Sequence, residues 1–265
     1  MTGQDRPNLA NVFSKLNCWR HLPAYRLEPT LAPFFGLFLP EILGINKENC
    51  TIIPEFPLRK GMLCGEQIKG KNQSVKVDYA VFEKSSNVTY FIELKTDSKS
   101  FNYAQLRNLV KARKLGLHCI LRGVKCICKA TKGDYTEKYM HLLHCLNELS
   151  FIDYPYEELY NLAFLESRKG LESRKGWKMA VECGVNINES IPENIEIVYI
   201  TPTGRELEEC KEEHLRKEVL EEIGFCQIAT LIQSRGELGS MFANYLREWK
   251  TPAGAADPRK FRTAL

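Results

Sequence analysis

An α/β fold around a mixed sheet is predicted by three observations. Residues 51–58, 75–82 and 88–95 have strand character and follow one another with spacers too short for βαβ crossovers, so they form a meander. Segments with helical spacing stand before and after this trio. A short apolar strand, residues 195–201, then returns to the sheet after a long helical stretch. The composition is that of a folded domain: 265 residues, 44% hydrophobic and 26% charged, which argues against disorder or a fibre.

Taken in order, residues 1–27 read as an arm with Pro7 and Pro23, packed through Trp19 and Tyr25. A helix is expected over 29–43, with Leu31, Phe34, Phe35, Phe38, Leu39 and Ile42 on a broad apolar face. Pro29 suits its first turn, Pro40 argues for a kink or break, and Gly44 suits the C-cap. Pro54 and Pro57 give the first strand an edge position or a bulge. Residues 59–74 read as a basic hairpin loop holding Arg59, Lys60, Lys69 and Lys71.

Strand 75–82 places Val75, Val77, Tyr79 and Val81 on one side and Lys76, Asp78 and Ala80 on the other; Ser85-Ser86-Asn87 is a turn. In strand 88–95, Phe91, Glu93 and Lys95 share a face. Helices are expected over 103–117, capped by Asn102 or Ser100, and over 136–149 and 155–166. The segment HCILRGVKCIC within 118–130 reads as further strand. The repeat LESRKG-LESRKG, 165–176, is a local duplication in a surface loop. A charged helix over 206–223, a strand over 225–232 and a helix over 237–249 complete the prediction, with a loosely held tail from Thr251. Residues 1–265 read as a single domain, with 118–194 as a helical insertion.

Several function classes are excluded. The most apolar stretch, Leu31 to Leu43, is 13 residues and holds two prolines, short of the about 20 a bilayer needs. The first residues lack a signal-peptide core, so a cytoplasmic location is expected. The ten cysteines then read as free thiols. Cys126 and Cys128 lack a matching second pair for zinc, and Cys18, Cys183, Cys210 and Cys226 lack the tight downstream group of an iron–sulfur site. No Walker, dinucleotide or G-x-S-x-G motif occurs. The net charge, 37 − 33 = +4, hides strong polarity. Residues 95–125 hold eight basic residues (Lys95, Lys99, Arg107, Lys111, Arg113, Lys114, Arg122, Lys125) against Asp97 alone, whereas 206–222 hold eight acids and three bases. The basic stretch suits a polyanion.

The chemistry concentrates in VDYAV followed by IELK. Strand periodicity puts Glu93 and Lys95 on one face, and a hairpin with a loop of even length brings Asp78 beside Glu93. In that register two carboxylates meet an ammonium, a set able to hold a hard divalent cation and activate water. On spacing alone, the same pattern also fits a solvated strand face with ion pairs.

VDYAV and YFIELKTD resemble the paired strands of the PD-(D/E)XK nuclease superfamily, and specifically its RecB-nuclease-like members. The resemblance covers roughly 25–117 and 195–204. It implies a restriction-endonuclease-like core of helix, three-strand meander, helix and strand, with IVYITPTG as the fourth strand. It implies a metal-dependent nuclease cleaving phosphodiester bonds, with DNA the expected substrate and Mg²⁺ or Mn²⁺ on Asp78 and Glu93. Lys95 would assist the attacking water, Gln105 would act from the following helix, and the first-helix acid would be Glu28, with Glu41 the other candidate. Double-strand cleavage would pair two copies as a homodimer. The alternative is a non-catalytic module on the same fold that binds nucleic acid or protein.

Overall fold

A computed structural model describes residues 8–22, 25–97, 100–132, 135–162 and 171–250, with only the backbone for 171–174. Its helices are α1 (Leu9–Trp19), α2 (Leu27–Leu43), α3 (Lys60–Cys64), α4 (Tyr103–Ala130), α5 (Tyr135–Glu148), α6 (Tyr156–Tyr160), α7 (Leu171–Gly184), α8 (Glu213–Arg216), α9 (Phe225–Ile232) and α10 (Gly236–Trp249). Its strands are β1 (Cys50–Arg59), β2 (Ser74–Glu83), β3 (Val88–Leu94), β4 (Ile152–Asp153), β5 (Asn186–Ile187), β6 (Asn194–Thr201) and β7 (Glu221–Gly224). The class is α/β. A five-stranded mixed sheet has the order β1-β2-β3-β6-β7, and β4 and β5 make a separate antiparallel ribbon. β6 and β7 run parallel, with Thr201 opposite Gly224. The edge position expected for the proline-bearing first strand is found, and Glu55 within it has φ +53°.

The chain divides into two compact units, Met1–Cys50 with Ile92–Leu106 and Ile197–Leu265, and Thr51–Phe91 with Arg107–Glu196. In the first, α2 runs unbroken through Pro33 and Pro40 and ends at Gly44 in the left-handed conformation. Each internal proline removes a backbone bond. Packing offsets the loss: Leu31, Phe35 and Leu39 are fully buried, and the Phe35 ring packs tilted against Phe225 and edge-on against Phe242. The arm expected at the N-terminus contains α1, capped by the Asn8 side chain, whose Phe13 joins the same aromatic cluster.

The second unit is built on Phe56, Phe82, Phe91 and Phe151, all in ring contact. Trp177 of α7 donates its indole N–H to the Cys128 carbonyl at 2.8 Å.

Three elements differ from expectation. Residues 118–130 are helical, not strand; they continue α4 beyond Gly116, where φ 76° and ψ 159° break the helix. Leu117, Ile120, Leu121, Val124, Ile127 and Cys128 are buried, a helical stripe that outweighs the β-branched composition. Residues 225–232 are also helix, burying Phe225, Ile228, Ala229 and Ile232 at i, i+3, i+4 and i+7. Residues 206–223 are not one helix. They form a 3₁₀ turn at Glu206–Glu209, the single turn of α8, and β7, because Glu206 and Glu222 turn inward to bond backbone N–H groups. Of the helix expected at 155–166, Tyr156–Tyr160 forms and 163–166 lie outside the described residues. The second LESRKG copy opens α7 rather than a loop, and the first copy lies outside the described residues, as does the tail from Thr251.

Candidate active site

β3 delivers Glu93, and Lys95 follows it directly. Lys95 is held in place by its own N–H, which donates to the Ile200 carbonyl of β6 at 2.8 Å. Their i, i+2 spacing puts both side chains on one face, and the Lys95 ammonium donates to Glu93 Oε1 at 2.5 Å. Both are buried, at 1% and 4% exposure. A second carboxylate arrives from α2: Glu28 Oε2 lies 3.9 Å from the same ammonium, and its side chain is 35% exposed. Glu28 stands in the first turn of α2, where the helix dipole favours a negative charge. Glu41, the other first-helix acid, lies in the last turn and faces Arg235 Nε at 4.0 Å.

A cleft of 590 Å³ opens beside this group, lined by Glu28, Thr96, Asp97 and Ser100 together with Arg20 and His21. The Arg20 guanidinium donates to the Trp249 carbonyl at 3.3 Å. Burial lowers its pKa to about 10, opposed by the charges of Asp97 and Glu248. It stays a cation at neutral pH. Burial first, and then the Arg20 charge, push the His21 imidazole below its usual value and so favour its neutral form. Neither residue stands out in the sequence: both belong to the N-terminal arm, outside any motif, and the capped helix α1 that brings them in is the only signal.

Gln105 is half-buried in the first turn of α4, where the Asn102 side chain accepts from the Ala104 N–H at 2.9 Å, so the expected Asn102 cap forms. Asp78 is half-buried on β2 and belongs to the second unit. The segment between β2 and β3 is residues 84–87, an even length. The residues brought together by ion pairs within one unit are therefore Glu28, Glu93 and Lys95.

The basic stretch is partly used internally. Arg113 pairs with Glu196 at 3.5 Å, Lys111 donates to the Leu63 carbonyl at 3.1 Å, and Lys125 donates to the Val185 carbonyl at 2.5 Å. Arg107, Lys114 and Arg122 are exposed.

A second acidic arrangement lies after β6 in the first unit. Glu222 accepts from Thr201 Oγ1 at 2.8 Å and from the N–H groups of Glu206 and Leu207 at 2.8 and 3.0 Å. Glu206, 8% exposed, accepts from the Thr203 and Arg205 N–H groups, both at 3.2 Å, and from Thr203 Oγ1 at 2.9 Å. Burial raises the Glu222 pKa above the usual carboxylate range.

Among the described residues no cluster of three or more His, Cys, Asp or Glu is gathered for a metal. Mg²⁺ asks for less, since one or two carboxylates with retained waters suffice. The hard oxygen donors of Glu93 and Glu28 beside the open cleft fit that requirement. No helix among the described residues is long and apolar enough to cross a membrane. Comparison of the chain with protein-family models, curated proteins and solved structures finds no match.

Proposed function

We propose that the chain is a metal-dependent nuclease with a restriction-endonuclease-like core, hydrolysing phosphodiester bonds in DNA. The observation that carries this reading is the buried Glu93–Lys95 pair with the Glu28 carboxylate on the same ammonium, at the edge of an open cleft. A solvated strand-face ion pair would be exposed, and these two residues are not. A buried ion pair gains little stability over apolar residues of the same volume, so its presence beside a cleft favours a chemical role.

In this reading Glu93, with Glu28 beside it, would hold Mg²⁺ or Mn²⁺, which when bound polarises phosphoryl oxygen and lowers the pKa of water. Lys95 neutralises charge developing on the phosphoryl group. Glu28 also orients the ammonium, and Gln105 positions Lys95 or a water from α4. Arg20 adds a fixed positive charge to the cleft for a neighbouring phosphate.

The test is cleavage of single-stranded and duplex DNA with Mg²⁺ or Mn²⁺ by the full chain. Glu93→Gln keeps the side-chain shape and should lower the rate by a factor of about 10² or more, with the circular dichroism spectrum retained. Equal rates for E93Q and the parent would overturn the assignment. DNA bound but left intact under all these conditions would replace it with the non-catalytic binding module.

A further inference from the structure

The second unit carries a basic groove that the catalytic reading does not use. Two adjoining hollows, of 740 and 920 Å³, share Lys71, Asn72, Ala130, Thr131 and Lys132, and so form one continuous depression. Six cations line it: Arg59, Lys71, Lys129, Lys132, Lys175 and Lys178. The carboxylates paired with them are Glu66 and Glu182, whose side chains are 53% and 54% exposed. Among the described residues, six positive charges against these two leave an excess of four. Neighbouring cations hold both Glu66 and Glu182 below the usual carboxylate range, the Arg59 and Lys129 hydrogen bonds being the largest causes.

The groove is built rather than accidental. The Arg59 side chain is 12% exposed, and its Nε donates to Asn72 Oδ1 at 2.8 Å. The Lys60 and Gly61 N–H groups donate to the Gln73 and Lys71 carbonyls at 2.8 and 2.7 Å, which fixes the strip carrying Lys71 and Asn72. On the opposite side, the Trp177 anchor on Cys128 fixes α7, and Lys175 and Lys178 flank that anchor. At one end stands Tyr135, 64% exposed, with the Lys138 ammonium 5.6 Å from its ring centre.

We infer that this groove binds a single-stranded stretch of nucleic acid, its cations tracking the phosphates and Tyr135 offering a ring on which a base stacks. A charged channel that follows the backbone, joined to an exposed aromatic platform, is the arrangement such strands require. The paired bases of a duplex do not offer their faces to a ring, so Tyr135 favours the single strand. Binding in the groove can be read without a divalent cation, so its test does not depend on cleavage at the Glu93 site.

The experiment is fluorescence anisotropy of a labelled oligo-dT with the full chain in EDTA, at several salt concentrations. The triple variant Lys132→Glu, Lys175→Glu, Lys178→Glu changes three exposed residues. It should weaken binding by about tenfold or more. It should also flatten the slope of log affinity on log salt by about 0.7 for each phosphate no longer neutralised. A control triple, Lys47→Glu, Lys84→Glu, Lys217→Glu, changes net charge by the same amount outside the groove and should shift affinity less than twofold. Tyr135→Ala should cost about fivefold or more on oligo-dT. Because the assay is run in EDTA, without cleavage, a failed nuclease reading leaves this result intact. Equal losses in the two triples would overturn the groove. So would absence of oligonucleotide binding alongside capture by phosphatidylserine vesicles, which would make it a membrane-facing surface. An unchanged affinity of Y135A would remove the stacking platform.

Discussion

Glu93 at the end of β3 and the pair Glu206 and Glu222 beyond β6 belong to the same unit; Glu93 and Glu206 are buried and Glu222 is half-buried. The first is compensated by an ammonium 2.5 Å away, the others by backbone N–H groups and hydroxyls of their own loop. Partners of the second kind cannot move without unfolding the turn, so that arrangement staples TPTGRE to β7. A lysine side chain can exchange its partner for a phosphate or an incoming cation's neighbour. Burial of a charge therefore does not by itself mark a reactive group; the mobility and sign of what compensates it do.

Breaking each arrangement should separate them. Lys95→Met leaves the buried Glu93 charge without its ammonium and should cost about 3–5 kcal/mol in urea unfolding. Adding Glu93→Gln should restore at least half of that; equal instability of the single and double variants would show that the ammonium is not what compensates Glu93. Glu206→Ala removes the acceptor for two N–H groups and a hydroxyl, and should cost about 1–3 kcal/mol by the same measurement with cleavage unchanged. Gly204→Ala should cost about 1–2 kcal/mol. Gly204 has φ +74°, and an added Cβ would lie 2.8 Å from the Gly224 nitrogen. A neutral result would mean that the turn can slide away from β7.

The smallest effect is a pH slope. The raised Glu222 pKa means that the folded chain keeps a proton where the unfolded chain has lost it. Stability from this group is thus present at low pH and lost as pH rises from the ordinary carboxylate range through the raised value. Glu222→Gln should flatten that slope in unfolding midpoints measured across the window.

Much of the scaffold was legible because its signals are local. The α2 stripe, the alternation in β2 and β3, and the Asn102 cap each depend on a few neighbours. Glu93 and Lys95 were legible for the same reason, being two residues apart on one strand. HCILRGVKCIC misled because cysteine and β-branched residues favour strand, while the deciding evidence was the spacing of its buried positions over the whole of 117–128. The acidic run 206–222 misled because its fate depends on donors in a different turn, a long-range condition that charge patterning does not encode. Arg20 and His21 were missed because nothing near them in the chain refers to the cleft they line.

The glycine break in α4 bears on how its helical stretches form. With φ 76° and ψ 159°, Gly116 occupies a region open almost exclusively to glycine, so the two stretches on either side cannot share one run of hydrogen bonds. Each must nucleate for itself, and each is near the length at which an isolated helix is marginal in water, about 12–15 residues. Neither half can act as a preformed rod that organises the rest. Their formation is tied to the moment their apolar stripes find partners, so the helicity of this stretch depends on packing and not on its own length.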